Sequence, residues 1–170
     1  MRILVIKQTS LGDVLHSTGH VRAIKQHWPE SELTLMTAHS SVGIYRHNPW
    51  VDHFILVDRA AVKQRWLRDP AWSYSHMAGV MAEVRRQRFD IAFDLQGAAK
   101  SVVFLYGAHA SRKFVKGRWP GIDGFRDPDL HALDEMDGVL ELAGIRHVDT
   151  RMEFATSPEE QSSIDSLLAR

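Results

Sequence analysis

Cysteine is absent from the 170 residues. Disulfides, thiolate metal sites and cysteine nucleophiles are thereby excluded. A charge imbalance is also absent. With 21 basic and 21 acidic residues the formal net charge is zero, so bulk attraction to nucleic acid is not expected and only local patches can draw anions. No apolar run approaches the roughly 20 residues of a membrane span. The first one, Arg2 to Ile6, is followed closely by Lys7 and Asp13 and by no small-residue cleavage site, which is not the pattern of a signal peptide. A cytoplasmic protein is the expectation. The turn after this run also lacks the GxGxxG fingerprint and the P-loop pattern, its only glycine being Gly12. Dinucleotide and P-loop nucleotide binding are therefore not expected there.

What is present is an ordinary globular mixture, 44% apolar and 25% charged, long enough for one domain with a real core. Short runs rich in Ile, Val, Leu and Phe predict strands at Arg2–Ile6, Glu32–Thr37, His53–Val57, Asp90–Asp94, Arg112–Val115 and Arg151–Phe154. Helical patterns lie between them at Asp13–His27, Ser40–His47, Tyr74–Arg88, Ala99–Tyr106 and Leu130–Ala143. Val14, Leu15, Val21, Ile24 and Trp28 fall near one face of the first helix, Pro29 stops it, and Gly144 ends the last of these helices. Such alternation predicts an α/β fold, a doubly wound, mostly parallel sheet with helices on both faces and its ligand crevice at the carboxyl ends of the strands. Two long stretches break this rhythm: Asp58 to Trp72, with four basic residues and two tryptophans, and Lys116 to Asp129, which reads as a long loop. Near the end, Ser157-Pro158-Glu159-Glu160 is a strong helix start, followed by Gln161–Ala169 and a stop at Arg170. A stop inside a well-capped helix is expected of a piece of a longer chain, or else of a natural terminal helix.

Two turns carry the chemistry. After the first strand come Lys7, Thr9, Ser10, Gly12 and Asp13, where amides at a helix start can attract a polar ligand. Asp13 has two readings there, a helix cap or a base for a hydroxyl proton. After the strand Asp90–Asp94 comes Asp94-Leu95-Gln96-Gly97-Ala98-Ala99-Lys100-Ser101. Gly97 permits close backbone approach, and Gln96 and Lys100 are candidates for polar substrate groups; a simple capped turn is the alternative. Arg59, Lys63, Arg65 and Arg68 form one basic cluster. Arg112, Lys113, Lys116 and Arg118 form another. Each is either a solvated face or a grip on phosphates and carboxylates, and their common position near strand ends favours an anionic ligand. His16 and His20 have metal-compatible spacing, but no third ligand is evident and no metal site is expected; His131 reads as a cap-region or core residue.

The K-x-x-x-L-G-D-V-L-H turn at Lys7–His16 resembles glycosyltransferase family nine, the bacterial heptosyltransferases. So do His27-Trp28-Pro29, Asn48-Pro49-Trp50-Val51-Asp52, the D-L-Q-G-x-x-K-S of Asp94–Ser101, the H-A-L-D-E-M of His131–Met136 and Ala143-Gly144-Ile145. The resemblance implies the N-terminal half of a GT-B glycosyltransferase, with two Rossmann-like halves facing across a cleft. The N-terminal half would hold a lipid-linked glycan acceptor of the lipopolysaccharide inner core, and the C-terminal half the nucleotide-sugar donor, ADP-heptose. Asp13 would be the catalytic base of an inverting transfer with no metal and no cofactor. Lys7, Thr9, Ser10, Gly12, Gln96, Gly97, Lys100, Lys63, Arg65 and Arg118 would be candidate acceptor contacts. Contact with the cytoplasmic face of the inner membrane would be peripheral, and nucleic acid is no expected partner.

In one respect the chain departs from the family: nothing after Arg151 resembles a donor half. The expectation is therefore an acceptor-binding domain over 1–156, with 157–170 starting the helix to a missing donor domain, and no sugar transfer by this chain alone. The alternatives are a free-standing, non-catalytic anion- or glycan-binding module, or a family member using another nucleotide sugar.

Overall fold

In the computed structural model, which describes residues 1–146 and 148–168, side chains alternate across each strand and so feed two cores. Along β1 (Arg2–Ile6), Ile3 and Val5 enter one core while Leu4 and Ile6 enter the other. The remaining strands are β2 (Glu32–Ala38), β3 (His53–Val57), β4 (Arg88–Asp94), β5 (His109–Lys116) and β6 (Asp123–Phe125). Their order is β3-β2-β1-β4-β5-β6, and every pairing is parallel. The helices are α1 (Leu11–His16), α2 (Thr18–His27), α3 (Arg59–Arg65), α4 (Pro70–Arg86), α5 (Ala99–Gly107), α6 (Ala132–Leu142) and α7 (Pro158–Leu168).

Val14, Val21, Ile24, Met136, Val139 and Leu140 bring α1, α2 and α6 to the first core. Val80, Val84, Val102, Phe104 and Leu105 bring α4 and α5 to the second. The sheet is thus covered on both faces, as the doubly wound expectation required. The strand order reverses between β1 and β4, where Ile3 pairs with Ile91 and Ile6 with Asp94. In an open parallel sheet the crevice lies at the carboxyl ends of such a pair. No helix among the described residues is long and apolar enough to cross a membrane.

Several sequence expectations need correction. The predicted helix Asp13–His27 is two helices, interrupted at Ser17. The Ser17 hydroxyl donates to the Val14 carbonyl at 2.7 Å and pairs with the Tyr45 hydroxyl at 2.9 Å, competing with the backbone ladder. Ser40–His47 is only a 3-10 turn at Val42–Ile44, closed by Ile44 N–H to Ser41 O and Tyr45 N–H to Val42 O. Arg151–Phe154 is not a strand. It crosses α2, where Glu153 N–H donates to Thr18 Oγ1 at 2.9 Å and the Glu153 carboxylate takes Arg22 and Trp50 Nε1. The edge beside β5 belongs instead to Asp123–Phe125, inside a stretch read as loop. There Gly124 packs so closely that a Cβ would lie 2.3 Å from Gly117 O. The other long stretch contains α3, capped by Asp58 on Ala61 N–H at 2.9 Å, and the start of α4, capped by Asp69 on Trp72 N–H at 3.0 Å. The predicted terminal helix is present at Pro158–Leu168; its last predicted residue, Ala169, lies outside the described residues.

Phe93 is fully buried in β4, its ring 5.3 Å from that of Phe114 and 6.4 Å from that of Trp28. Phe93→Ala is expected to cost about 3–5 kcal/mol in a urea titration. A loss below about 1 kcal/mol would mean that the core closes without that ring.

Candidate active site

The parallel pairing of β1 with β4 sets their two exit turns side by side. Leu95 N–H donates to Ile6 O at 3.1 Å, Lys7 Nζ to Leu95 O at 3.3 Å, and Thr9 N–H to Gln96 Oε1 at 3.0 Å. The β4 turn is built on Asp94, whose Oδ1 accepts from Gln96 N–H at 2.8 Å and Gly97 N–H at 3.0 Å. Gly97 has φ +68°, and a Cβ there would sit 2.1 Å from Lys116 O. The glycine is therefore required by the crossing of the β5 exit, whatever a ligand requires. Gln96 spends its amide oxygen on Thr9, so both Gln96 and Gly97 hold the turns together.

Asp13 stands at the third position of α1, because the helix begins at Leu11, two residues earlier than its pattern predicts. Its Oδ2 accepts from Ser10 N–H at 2.9 Å and from the Ser10 hydroxyl at 3.1 Å. Among the described residues Oδ1 has no hydrogen-bond donor. One oxygen therefore caps the helix while the other remains for a ligand, and the two readings of Asp13 do not compete. The Ser10 amide, helped by the Ser10 hydroxyl, Lys7 and His16, holds its carboxyl below the usual carboxylate range. It is ionised at neutral pH and able to accept a proton.

Asp13 lines a small pocket of about 100 Å³ with Lys7, His16, His131, Leu133 and Met136. Lys7 is only 4% exposed, and burial pushes its ammonium down to about 8 against the pull of Asp13 and Asp94. His131 caps α6, its Nδ1 accepting from Leu133 N–H at 3.3 Å, which leaves the proton of the neutral ring on Nε2. His16 and His20 do not converge. The break at Ser17 places them on separate helices, and His20 is fully buried with Nε2 2.9 Å from Asp137 Oδ1. Among the described residues no group of three His, Cys, Asp or Glu side chains is placed to hold a metal ion.

Beside the first turn opens a larger recess of about 670 Å³, lined among others by Thr9, Arg59, Lys63, Trp66, Met77 and Lys100. Its outer wall is α3, fixed to the β1 exit by the Arg59 guanidinium donating to Gln8 Oε1. The first basic cluster thus reaches the site through Arg59 and Lys63, while exposed Arg65 lies 4.5 Å over the Trp72 ring. The second cluster does not converge. Arg112 lies 4.9 Å from the Phe114 ring, Lys113 donates to Tyr106 O, and Lys116 pairs with Glu135 at 3.0 Å. Arg118, Ser10 and Gly12 are exposed and line neither cavity. Sequence reasoning had Arg59 in its basic cluster but passed over Trp66 and Met77 as wall residues. The signal for them lay in the caps, since Asp58 and Asp69-Pro70 mark the helix starts that bring them here.

No protein-family model matches the chain. A lipopolysaccharide core heptosyltransferase, OpsX of Haemophilus influenzae, is 21% identical over 98% of this chain and 47% of its own. Among solved structures, a family-nine glycosyltransferase of Veillonella parvula superposes with TM-score 0.79 at 21% identity, over 99% of this chain and 49% of its own. The chain is similar to the N-terminal half of glycosyltransferase family nine. E. coli heptosyltransferase WaaC, solved with ADP-2-deoxy-2-fluoro heptose, has the same fold, with TM-score 0.74 at 20% identity over 91% of this chain and 52% of its own. The chain spans about half the length of the relatives it matches.

Burial raises the Asp94 carboxyl from 3.8 to about 6, against the amides of Gln96 and Gly97 and the charge of Lys7. The folded state therefore binds this proton more tightly than the unfolded chain. Its contribution to stability is complete below pH 3.8 and is lost as pH rises through about 6. Asp94→Asn is expected to flatten the decline of unfolding free energy over that window in urea titrations. An unchanged slope would place the decline elsewhere.

Proposed function

We propose that this chain is the acceptor-binding domain of an inverting, metal-independent glycosyltransferase that moves heptose from ADP-heptose to the inner core of lipopolysaccharide. The observation that carries the reading is Asp13, an ionised carboxylate at the strand-order reversal with one oxygen engaged in capping and one without a donor. The named activity of OpsX and of WaaC supports the substrate class.

On this reading the acceptor lies along the recess. Lys63, Lys100 and Arg59 face its phosphates and carboxylates, and Thr9 faces a hydroxyl. Asp13 takes the proton of the attacking acceptor hydroxyl as that oxygen bonds to the anomeric carbon. ADP leaves from the opposite face, so the configuration inverts. The Ser10 amide keeps the carboxylate ionised until the proton arrives, with a smaller contribution from Lys7 buried beside it. Residues 1–156 form the acceptor domain, and α7 leads toward a donor-binding half. The acceptor being lipid-linked, membrane contact is peripheral and on the cytoplasmic side. By itself the 170-residue chain is not expected to turn over ADP-heptose.

In a protein that carries both halves, Asp13→Ala is expected to lower kcat by about 10²–10⁴-fold while acceptor binding persists. Near-normal turnover would leave Asp13 as a cap alone.

A further inference from the structure

The small pocket at Asp13 contains a ring whose donor nitrogen is fixed by the backbone. His131 opens α6, and its Nδ1 accepts from Leu133 N–H at 3.3 Å. With Nδ1 occupied, the donor left to the neutral ring is Nε2–H, in the pocket that His131 shares with Asp13, Lys7, His16 and Met136. The start of α6 is held by three ties. Glu135 pairs with Lys116 of β5 at 3.0 Å, and Asp137 lies 2.9 Å from buried His20 on α2. Gly138 packs so closely on β6 that a Cβ would sit 2.4 Å from the Phe125 ring. A donor on such a mount keeps one position, as the orientation of a reacting group requires.

At about 100 Å³ the pocket has room for only a few waters, so one hydroxyl fits beside the carboxylate and a whole sugar ring does not. Of the other polar residues there, Lys7 donates to Leu95 O and His16 shares the helix of Asp13. His131 is the neutral donor that arrives from a second wall. We propose that His131 Nε2–H donates to the oxygen of the acceptor hydroxyl that Asp13 deprotonates, an inference resting on the reading of Asp13 as the base. A hydroxyl has one proton and two lone pairs. With one pair held by His131, the proton turns to Asp13 Oδ1 and the second pair is left for the anomeric carbon. The proton passes to Asp13 as the new C–O bond forms, and the electrons of the broken bond leave with ADP. His131 keeps its own proton throughout. A neutral donor holds the oxygen with about half the strength of a charged one, so the attacking pair stays available. His131, like Asp13, is then both a cap and a catalytic residue.

The two nitrogens are separable by substitution. In His131→Asn the amide oxygen replaces Nδ1 and keeps the cap, but no donor reaches the place of Nε2. In His131→Gln the longer amide carries N–H to the place of Nε2 and gives up the cap. In a protein that carries both halves, His131→Asn is expected to keep its melting midpoint and KM and to lose kcat on the order of 10²-fold. His131→Gln is expected to melt lower and to recover most of kcat. Transfer that follows the cap, retained by His131→Asn and lost by His131→Gln, would overturn the proposal, as would an equal loss in both or none in either. Near-normal turnover by Asp13→Ala would sink the base reading and this proposal with it. An inactive Asp13→Ala beside a fully active His131→Asn would sink this proposal alone.

Discussion

The parallel pairing of β1 with β4 is the constraint on which the rest depends. Ile3 to Ile6 run beside Ile91 to Asp94, and on either side of this seam the chain winds outward in opposite directions. The seam delivers two turns to one edge, and three hydrogen bonds lock them: Leu95 to Ile6, Lys7 to Leu95 and Thr9 to Gln96. Everything proposed to touch a ligand is positioned from those turns, from α3, which Arg59 ties to Gln8, or from the start of α6.

Burial at this seam sets the electrostatics of the site. Lys7 and Asp94 are both inside, each displaced toward its neutral form by loss of water, and each partly restored by opposite charge nearby. Asp13 sits outside with the opposite displacement, held ionised by Ser10 before any neighbouring charge is counted. A base kept ionised this way is always available but weak. A second wall that closed over it and removed water would strengthen it, because desolvation raises a carboxyl. That is a physical reason for placing such a base in a cleft between two halves.

Much of this was legible in the sequence. The strands β1 and β3 match their apolar runs, and β2, β4 and β5 match in their cores, because a strand buried on both faces needs an unbroken apolar run. The two turns were found because Gly12, Gly97 and the polar residues around them interrupt those runs. What stayed hidden depended on tertiary partners. The break at Ser17 needs Tyr45 across the fold, β6 is three residues whose Gly124 fits only against Gly117, and Arg151–Phe154 looks strand-like but is held by Arg22 on α2 and by Trp50 ahead of β3. At the site, Asp13 read as a cap or a base, and only the structure assigns the two roles to separate oxygens of its carboxylate. Lys116 looked like a ligand grip until Glu135 came within 3.0 Å.

The central claim is that this domain holds the acceptor and not the donor. The direct measurement is calorimetric titration of the 170-residue chain with a deacylated inner-core lipopolysaccharide fragment and, separately, with ADP-heptose. Saturable binding of the fragment, weakened by Lys63→Gln, with no saturable heat from ADP-heptose, is the expected result. Saturable binding of ADP-heptose with none of the fragment would contradict it.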